Sequence, residues 1–276
     1  MLDDGSWLVV EMSADKGCVT RVSRDGGEKR AIVKTGRPNG LALDRKGFIW
    51  VAESLKPSLI RLSMDGKAEL FAVECEGEPF IFPNDLAFGP DGALYLTDSG
   101  ILVETLLIDG GVRDDYMDLS YDGRLYRIDI GHKHVEKLES GIKFTNGIAF
   151  GPDDALYVNE TITGNVYRYR FKGKVGLGER ELFGNVLAPG KYEGIVGPDG
   201  MKFGRNGNLY VTVYGQGDVT VLGRDGRVAE RLKTNGRKPT NCAFGPSGRK
   251  QLYVTDVEFG TMEVLDVGTD GFPLYR

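Results

Sequence analysis

The chain has 276 residues, with 40 acidic against 35 basic side chains and a formal charge of −5 at pH 7. No run of Lys or Arg stands out, so the electrostatic footprint of a nucleic-acid or acidic-membrane binder is absent. Cys18, Cys75 and Cys242 stand at unrelated spacings that fit neither a disulfide framework nor a zinc cluster, and no basic leader or long apolar run is present, so a cytoplasmic protein is expected.

From the N-terminus, residues 7–11, 18–23 and 29–34 alternate apolar and polar side chains and read as three strands. A fuller unit follows. Pro38-Asn39-Gly40-Leu41-Ala42-Leu43-Asp44, running to Ile49-Trp50-Val51, joins a small polar dyad to an apolar strand, a turn and a second strand. The pattern returns at Phe82-Pro83-Asn84-Asp85-Leu86-Ala87-Phe88-Gly89-Pro90-Asp91-Gly92 with Leu94-Tyr95-Leu96, and at Thr145-Asn146-Gly147 with Leu156-Tyr157-Val158. It returns again at Pro198-Asp199-Gly200 with Leu209-Tyr210-Val211, and at Thr240-Asn241-Cys242 with Leu252-Tyr253-Val254. The dyads recur at intervals from the low forties to the low sixties. With alternating strands and Gly or Asp turns, that period predicts four-stranded propeller blades and not helical repeats.

In the Asn146 unit the strands are expected at residues 148–150, 155–159, 165–170 and 180–183, separated by turns at Gly151-Pro152-Asp153-Asp154, Thr163-Gly164-Asn165 and Lys172-Gly173-Lys174. Gly5 corresponds to Gly47 and Gly92, so the dyad of the first unit would fall before Met1. At the other end, residues 261–267 read as a third strand and Gly271-Phe272-Pro273-Leu274-Tyr275 as a fourth. The expectation is an all-β six-bladed propeller of twenty-three strands, its first blade lacking the innermost strand, in a single domain over residues 1–276. Residues 98–122 break the rhythm and read either as a lid over one face or as a surface excursion. A second long connection, residues 184–198, should border the same face.

If every dyad starts an innermost strand, all five ring one mouth of the channel. Asn84, Asn146 and Asp199 would then converge as two amide carbonyls and a carboxylate, a hard oxygen set suited to calcium or magnesium. The alternative is that Asn and Asp start strands because their side chains bond nearby backbone in Asx turns. Glu11, Glu53, Asp98, Glu160, Tyr214 and Asp256 end the second strands and reach the same face one strand further out. His132 and His134 fall in an outer turn, Gly-x-Ser-x-Gly is absent, and metal-assisted hydrolysis is the chemistry left. Cys242 reads as a buried small hydrophobe, and Asp85 as a hydrogen-bonding or proton-transfer group at the mouth or simply the cap of its dyad turn.

Asn84-Asp85 with its Leu-Ala-Phe-Gly-Pro-Asp-Gly strand, Thr145-Asn146-Gly147-Ile148-Ala149-Phe150, Gly197-Pro198-Asp199-Gly200-Met201 and Gly36-Arg37-Pro38-Asn39-Gly40 resemble the senescence marker protein (regucalcin), gluconolactonase and luciferin-regenerating enzyme family. The likeness runs over essentially the whole chain. It implies a six-bladed propeller with a divalent cation at the channel mouth, calcium first and magnesium, manganese or zinc as alternatives, and hydrolysis of lactones or, in a related enzyme, organophosphates. Asn146 and Asp199 match family metal ligands, Asn84 a further ligand or substrate-contacting residue, and Asp199 the group that activates water or attacks directly. Asn84, Asp85 and Asn39 are the candidates for holding substrate.

The family's remaining ligand is a Glu at the start of the first blade's inner strand, the strand expected before Met1. With Asp199 as the only carboxylate a dication should bind more weakly. Glu11 is the nearest substitute, one strand out. The expected function is divalent-metal-dependent hydrolysis of a small lactone, with no nucleic-acid or membrane partner. The alternatives are a non-catalytic propeller binding a small ligand or a protein, a metal-impaired member of the family, and a strictosidine synthase-like condensing enzyme.

Overall fold

The repeat unit has a local chemical logic that explains the architecture. In the computed structural model, which describes residues 1–108, 111–173 and 176–276, the tyrosine of the second strand in three successive units packs on the inner strand of the following blade. Tyr95 meets Phe150 with ring centroids 5.0 Å apart, Tyr157 meets Phe203 at 4.8 Å, and Tyr210 meets Phe244 at 5.3 Å, all near edge-on. Pairs of this kind contribute about 0.5–1.5 kcal/mol each beyond the area they bury. The polar tip of each ring returns to its own turn. Tyr95 and Tyr157 hydroxyls donate to Asp91 and Asp153 at 3.2 and 3.1 Å, and the Trp50 indole donates to Asp44 at 3.0 Å. One Asp in the turn and one aromatic in the next strand therefore fix both the hairpin and the contact between blades.

Among the described residues six antiparallel sheets radiate from a channel as the blades of a β-propeller. Blade 1 is Trp7–Glu11, Cys18–Val22 and Lys29–Lys34; blade 2 is Pro38–Leu43, Ile49–Glu53, Ser58–Leu62 and Ala68–Ala72. Blade 3 is Pro83–Phe88, Leu94–Asp98, Gly123–Asp129 and His134–Ile142; blade 4 is Thr145–Phe150, Leu156–Glu160, Asn165–Tyr169 and Glu181–Asn185. Blade 5 is Gly197–Phe203, Leu209–Tyr214, Asp218–Leu222 and Val228–Lys233; blade 6 is Pro239–Phe244, Gln251–Asp256 and Thr261–Asp266. The strands expected in the Asn146 unit lie where the alternation put them, with the inner one starting earlier, at Thr145. Lys174, the last residue of the turn expected at Lys172-Gly173-Lys174, and Val175 after it fall outside the described residues, as do Asp109 and Gly110 within 98–122.

Blade 1 has three strands, as expected, and its Trp7–Glu11 edge faces the channel. Trp7 takes the place of a missing inner-strand aromatic by packing on Tyr253 of blade 6, centroid to centroid 4.2 Å. One expectation fails. Residues 271–275 are not a fourth strand of blade 6, so the blades hold twenty-two strands among the described residues. The tail instead crosses beneath the channel at the end away from the dyads, where Gly271 bridges Gly204 and the Phe272 amide donates to the Phe203 carbonyl at 2.8 Å. It continues to blade 4, where Tyr275 packs on Phe150 at 5.9 Å and donates to Asp154. Pro273 cannot donate to a ladder, and the apolar cover for Phe272 and Tyr275 lies under the channel. No described helix is long and apolar enough to cross a membrane.

Candidate active site

Each inner strand carries a register irregularity at its dyad. The ladder shifts between Pro38 and Leu41, Pro83 and Leu86, Thr145 and Ile148, Pro198 and Met201, and Pro239 and Asn241. Bulges of this kind re-aim side chains, and they sit preferentially beside functional sites. Here they turn the dyad side chains from the blades toward the channel. A cavity of about 1330 Å³ runs down it, lined by Asn39, Asn84, Asp85, Asn146, Asp199 and Asn241. On the blade 1 side it reaches Leu8, Val10 and Glu11.

Where the second residue of the dyad is Gly, the neighbouring blade occupies the space a side chain would need. A Cβ on Gly40 would overlap the Asp85 backbone, and one on Gly147 would overlap the Asp199 carbonyl oxygen. Inner strands thus approach closely enough for side chains distant in sequence to share one volume. Hydroxyl and amide groups at the ends of the second strands then tie each blade to the next dyad. Thr97 donates to the Asn146 carbonyl at 2.6 Å and Ser99 to that of Thr145 at 2.9 Å. One blade on, Thr161 donates to the Pro198 carbonyl at 2.8 Å and Asn159 to that of Asp199. Thr212 continues the series to Thr240 at 3.1 Å.

The same hydroxyls orient the two buried asparagines. Asn84 Nδ2 donates to Ser99 Oγ at 2.8 Å, and Asn146 Nδ2 to Thr161 Oγ1 at 3.1 Å. Asn146 Oδ1 is left buried with no hydrogen-bond partner among the described residues. Asx-type bonding accounts for other dyads: Asp85 Oδ1 accepts from the Leu86 amide and Asn241 Oδ1 from the Cys242 amide, both at 2.8 Å. Asp85 Oδ2 also accepts from Ile148 of the next blade at 3.3 Å. Asn39 is half-buried on the blade 2 wall.

Asp199 is the perturbed group of the site. Burial raises its pKa well above the ordinary carboxylate range, the Asp85 charge adds to this, and the Asn146 amide works the other way. Cys242 is buried, its thiol pushed up to about 12 mainly by desolvation, and its sulfur faces the Tyr210 carbonyl at 3.7 Å. It is packing, as expected.

The acidic residues that end the second strands brace backbone. Asp98 accepts from the amides of Ile81, Phe82 and Gly100 at 2.7, 2.8 and 2.9 Å. Glu53 Oε1 accepts from Arg37 and Leu55 at 2.7 and 2.8 Å, Glu160 Oε2 from Lys143 at 2.7 Å, and Asp256 Oδ2 from Lys238 at 3.1 Å. Glu11 has no inner strand to brace and bonds Thr20 at 2.7 Å and Lys16.

The described residues of the 98–122 segment pack over the dyad mouth. A short helix, Val103–Leu106, leads to a hairpin whose Leu107 and Val112, with Leu106, line the cavity. Beneath it Phe82, Ile101, Leu106, Phe144 and Ile162 form one apolar cluster. Tyr116 donates to the Gly194 carbonyl at 3.1 Å, tying this segment to the 184–198 connection. Sequence reasoning did not single out Phe82 and Phe144 as walls, Ser99 and Thr161 as supports, or Arg37 in the cavity lining over Phe82. The supports were legible as a hydroxyl just after each second strand, in Thr97-Asp98-Ser99 and Asn159-Glu160-Thr161.

A gluconolactonase of Zymomonas mobilis is 28% identical over 217 residues, covering 76% of this chain and 58% of that protein. A 6-deoxy-6-sulfogluconolactonase of Pseudomonas putida is 31% identical over 135 residues, 48% of this chain and 44% of that one. The chain spans about half the length of the curated relatives it matches. A solved calcium-binding regucalcin from Agrobacterium tumefaciens has the same fold, with a TM-score of 0.76 over 99% of this chain and 90% of that one at 22% identity. Residues 19–258 match the family described as the SMP-30/Gluconolactonase/LRE-like region, and the chain belongs to that family.

Proposed function

We propose that this protein, as one propeller domain over residues 1–276, hydrolyses a small sugar-acid lactone at the dyad mouth. The observation that carries the reading is the buried Asn146 carbonyl oxygen without a partner, beside an Asp199 whose pKa is raised, in a covered cavity also lined by Asn84 and Asp85. Two relatives that share the family are named as lactonases, which supports the same chemistry.

The donor set fits a hard divalent cation. Asn84, Asn146 and Asp199 would hold it: each amide nitrogen donates to a wall hydroxyl, Ser99 or Thr161, and the Asn146 amide also bonds Asp199. When bound, such an ion, calcium by the hardness of these oxygens, supplies polarisation of the lactone carbonyl and a lowered pKa for water. The protein's own part is positional and protolytic. Asp85, satisfied by two backbone amides, orients substrate together with Asn39 and Asn84. Asp199 takes a proton from water as the new C–O bond forms at the lactone carbonyl, and returns it to the ring oxygen as the ring C–O bond breaks, leaving a hydroxy acid. A raised carboxylate pKa suits a base working near neutral pH. The lid cluster excludes bulk water.

The test is turnover of glucono-1,5-lactone by the wild type and by Asp199→Asn. Loss of about 10²- to 10⁴-fold is expected for removal of a positioned base. Equal rates in the two proteins would sink the assignment. A second reading, a family member with weakened cation binding, is favoured by one feature: among the described residues no three His, Cys, Asp or Glu side chains gather to hold a metal. Calcium binding weaker than millimolar by calorimetry, with turnover untouched by chelation, would select it.

A further inference from the structure

We propose that Arg37 is an anion-recognising residue of the channel mouth, so that the lactone this protein takes carries a second, oxyanionic group such as a phosphate ester or a carboxylate. The proposal rests on the lactonase reading for the word lactone, and on geometry for the anion.

Arg37 stands just ahead of the blade 2 inner strand, and its backbone is held on both sides. Its amide donates to Glu53 Oε1 at 2.7 Å, and its carbonyl accepts from the Ser54 amide and hydroxyl at 3.0 and 2.9 Å. The side chain lines the cavity, with the guanidinium carbon 5.8 Å from the centre of the buried Phe82 ring. Its Nε is buried with no hydrogen-bond partner, and no carboxylate lies within ion-pair distance among the described residues. Three other arginines of the blades are spent on neighbours. Arg127 pairs with Asp91 at 2.8 Å, Arg168 with Glu181 at 2.8 Å, and Arg180 with Glu139 at 3.2 Å.

A guanidinium is a rigid fork of donors matched to an oxyanion, and leaving it desolvated and unpaired is costly. Glu53 is the charge that acts on it: its Oε1 serves two backbone amides, and its Oε2 is likewise buried without a hydrogen-bond partner, beyond ion-pair distance of the fork. Burial lowers the Arg37 pKa, in keeping with a half-buried fork whose Nε has lost water without gaining a partner. Phe82 beneath the fork gives the sugar ring an apolar face to rest on.

The experiment compares kcat/KM for glucono-1,5-lactone with that for its 6-phosphate and for a glucarolactone, in the wild type, Arg37→Gln and Arg37→Lys. The wild type should prefer the anionic lactones by tenfold or more. Arg37→Gln should bring that ratio close to one, through KM and not kcat, and Arg37→Lys should restore part of it. Loss confined to the phosphate or to the carboxylate compound identifies which oxyanion is read. A wild type indifferent to the anion, or a ratio unchanged in Arg37→Gln, would overturn the proposal. A binding arm separates it from the lactonase reading: calorimetry with glucose 6-phosphate and glucuronate against glucose. If no lactone is turned over, tighter anion binding that disappears in Arg37→Gln supports Arg37 while the catalytic reading falls, and equal binding of charged and neutral sugars overturns the proposal. Thermal midpoints of the variants, expected at or above the wild type, show that each is folded.

Discussion

At the scale of single residues, Asp199 is where stability and function pull apart. Its pKa is raised, so ionising it costs stability. That cost is absent below the ordinary carboxylate range, where folded and unfolded chains are both protonated, and it grows as pH climbs toward the raised value. Asp199→Asn should therefore raise the thermal midpoint of the cation-free protein at neutral pH while turnover collapses, a stability gain at the expense of activity. Differential scanning calorimetry of the two proteins at pH 5 and pH 8 checks it: the gain should be larger at pH 8. In the proposed cation site the same group would govern affinity. Only the carboxylate binds an ion, so calcium affinity should increase as pH rises through the Asp199 titration, with proton release, and calorimetry in buffers of different ionisation enthalpy reads this directly.

Much of this residue chemistry was legible beforehand. Asn84, Asn146 and Asp199 announce themselves as small polar residues at equivalent places in an apolar repeat, and Asp85 as a carboxylate where the other units have Gly or Cys. Arg37 was not legible, because an Arg before Pro38 looks like any surface cation until the loss of its water and partners is seen.

At the scale of elements, the site depends on bulged inner strands held by side chains of the second strands. Gly147→Ala would press a methyl into the Asp199 carbonyl oxygen and should cost about 1–3 kcal/mol as overpacking. Because the strain falls between blades 4 and 5, calcium affinity should fall with it. Thr161→Val keeps the shape but strips the donor to the Pro198 carbonyl and the acceptor of the Asn146 amide. Leaving two buried polar groups unpaired should cost about 1–3 kcal/mol each, measured by urea denaturation. The bulges themselves were invisible in the sequence, since one additional residue leaves the apolar alternation on either side intact. The role of Asp98, Glu53, Glu160 and Asp256 was likewise hidden: position alone put them near the mouth, and only their hydrogen bonds show them bracing the backbone ahead of each inner strand.

At the scale of the whole molecule, the propeller is a ring of like contacts with one irregular joint. Blade 1 offers an unpaired strand edge to the channel, closed to blade 6 by Trp7 against Tyr253. The C-terminal tail crosses the opposite end of the channel, from Gly204 of blade 5 to Asp154 of blade 4, and reaches Asp3 through Arg276 at 3.9 Å. Removing residues 271–276 should lower the thermal midpoint and leave the dyad mouth in place, so stability should fall more than calcium affinity. The repeat period made the ring legible from sequence. The path of the tail was not, because Phe272 and Tyr275 in alternation suit a strand and a floor equally, and what decides is the apolar cover that Phe203 and Phe150 supply from distant blades.

The central claim is that dyad residues far apart in sequence act as one hard-oxygen site for lactone hydrolysis. The measurement that tests it most directly is turnover of glucono-1,5-lactone by chelator-treated protein as calcium is titrated back. A rate that is lost on chelation and returns along a saturable calcium curve, in the wild type but not in Asp199→Asn, is the predicted result. Turnover that survives exhaustive chelation, or that calcium restores equally in Asp199→Asn, would contradict it.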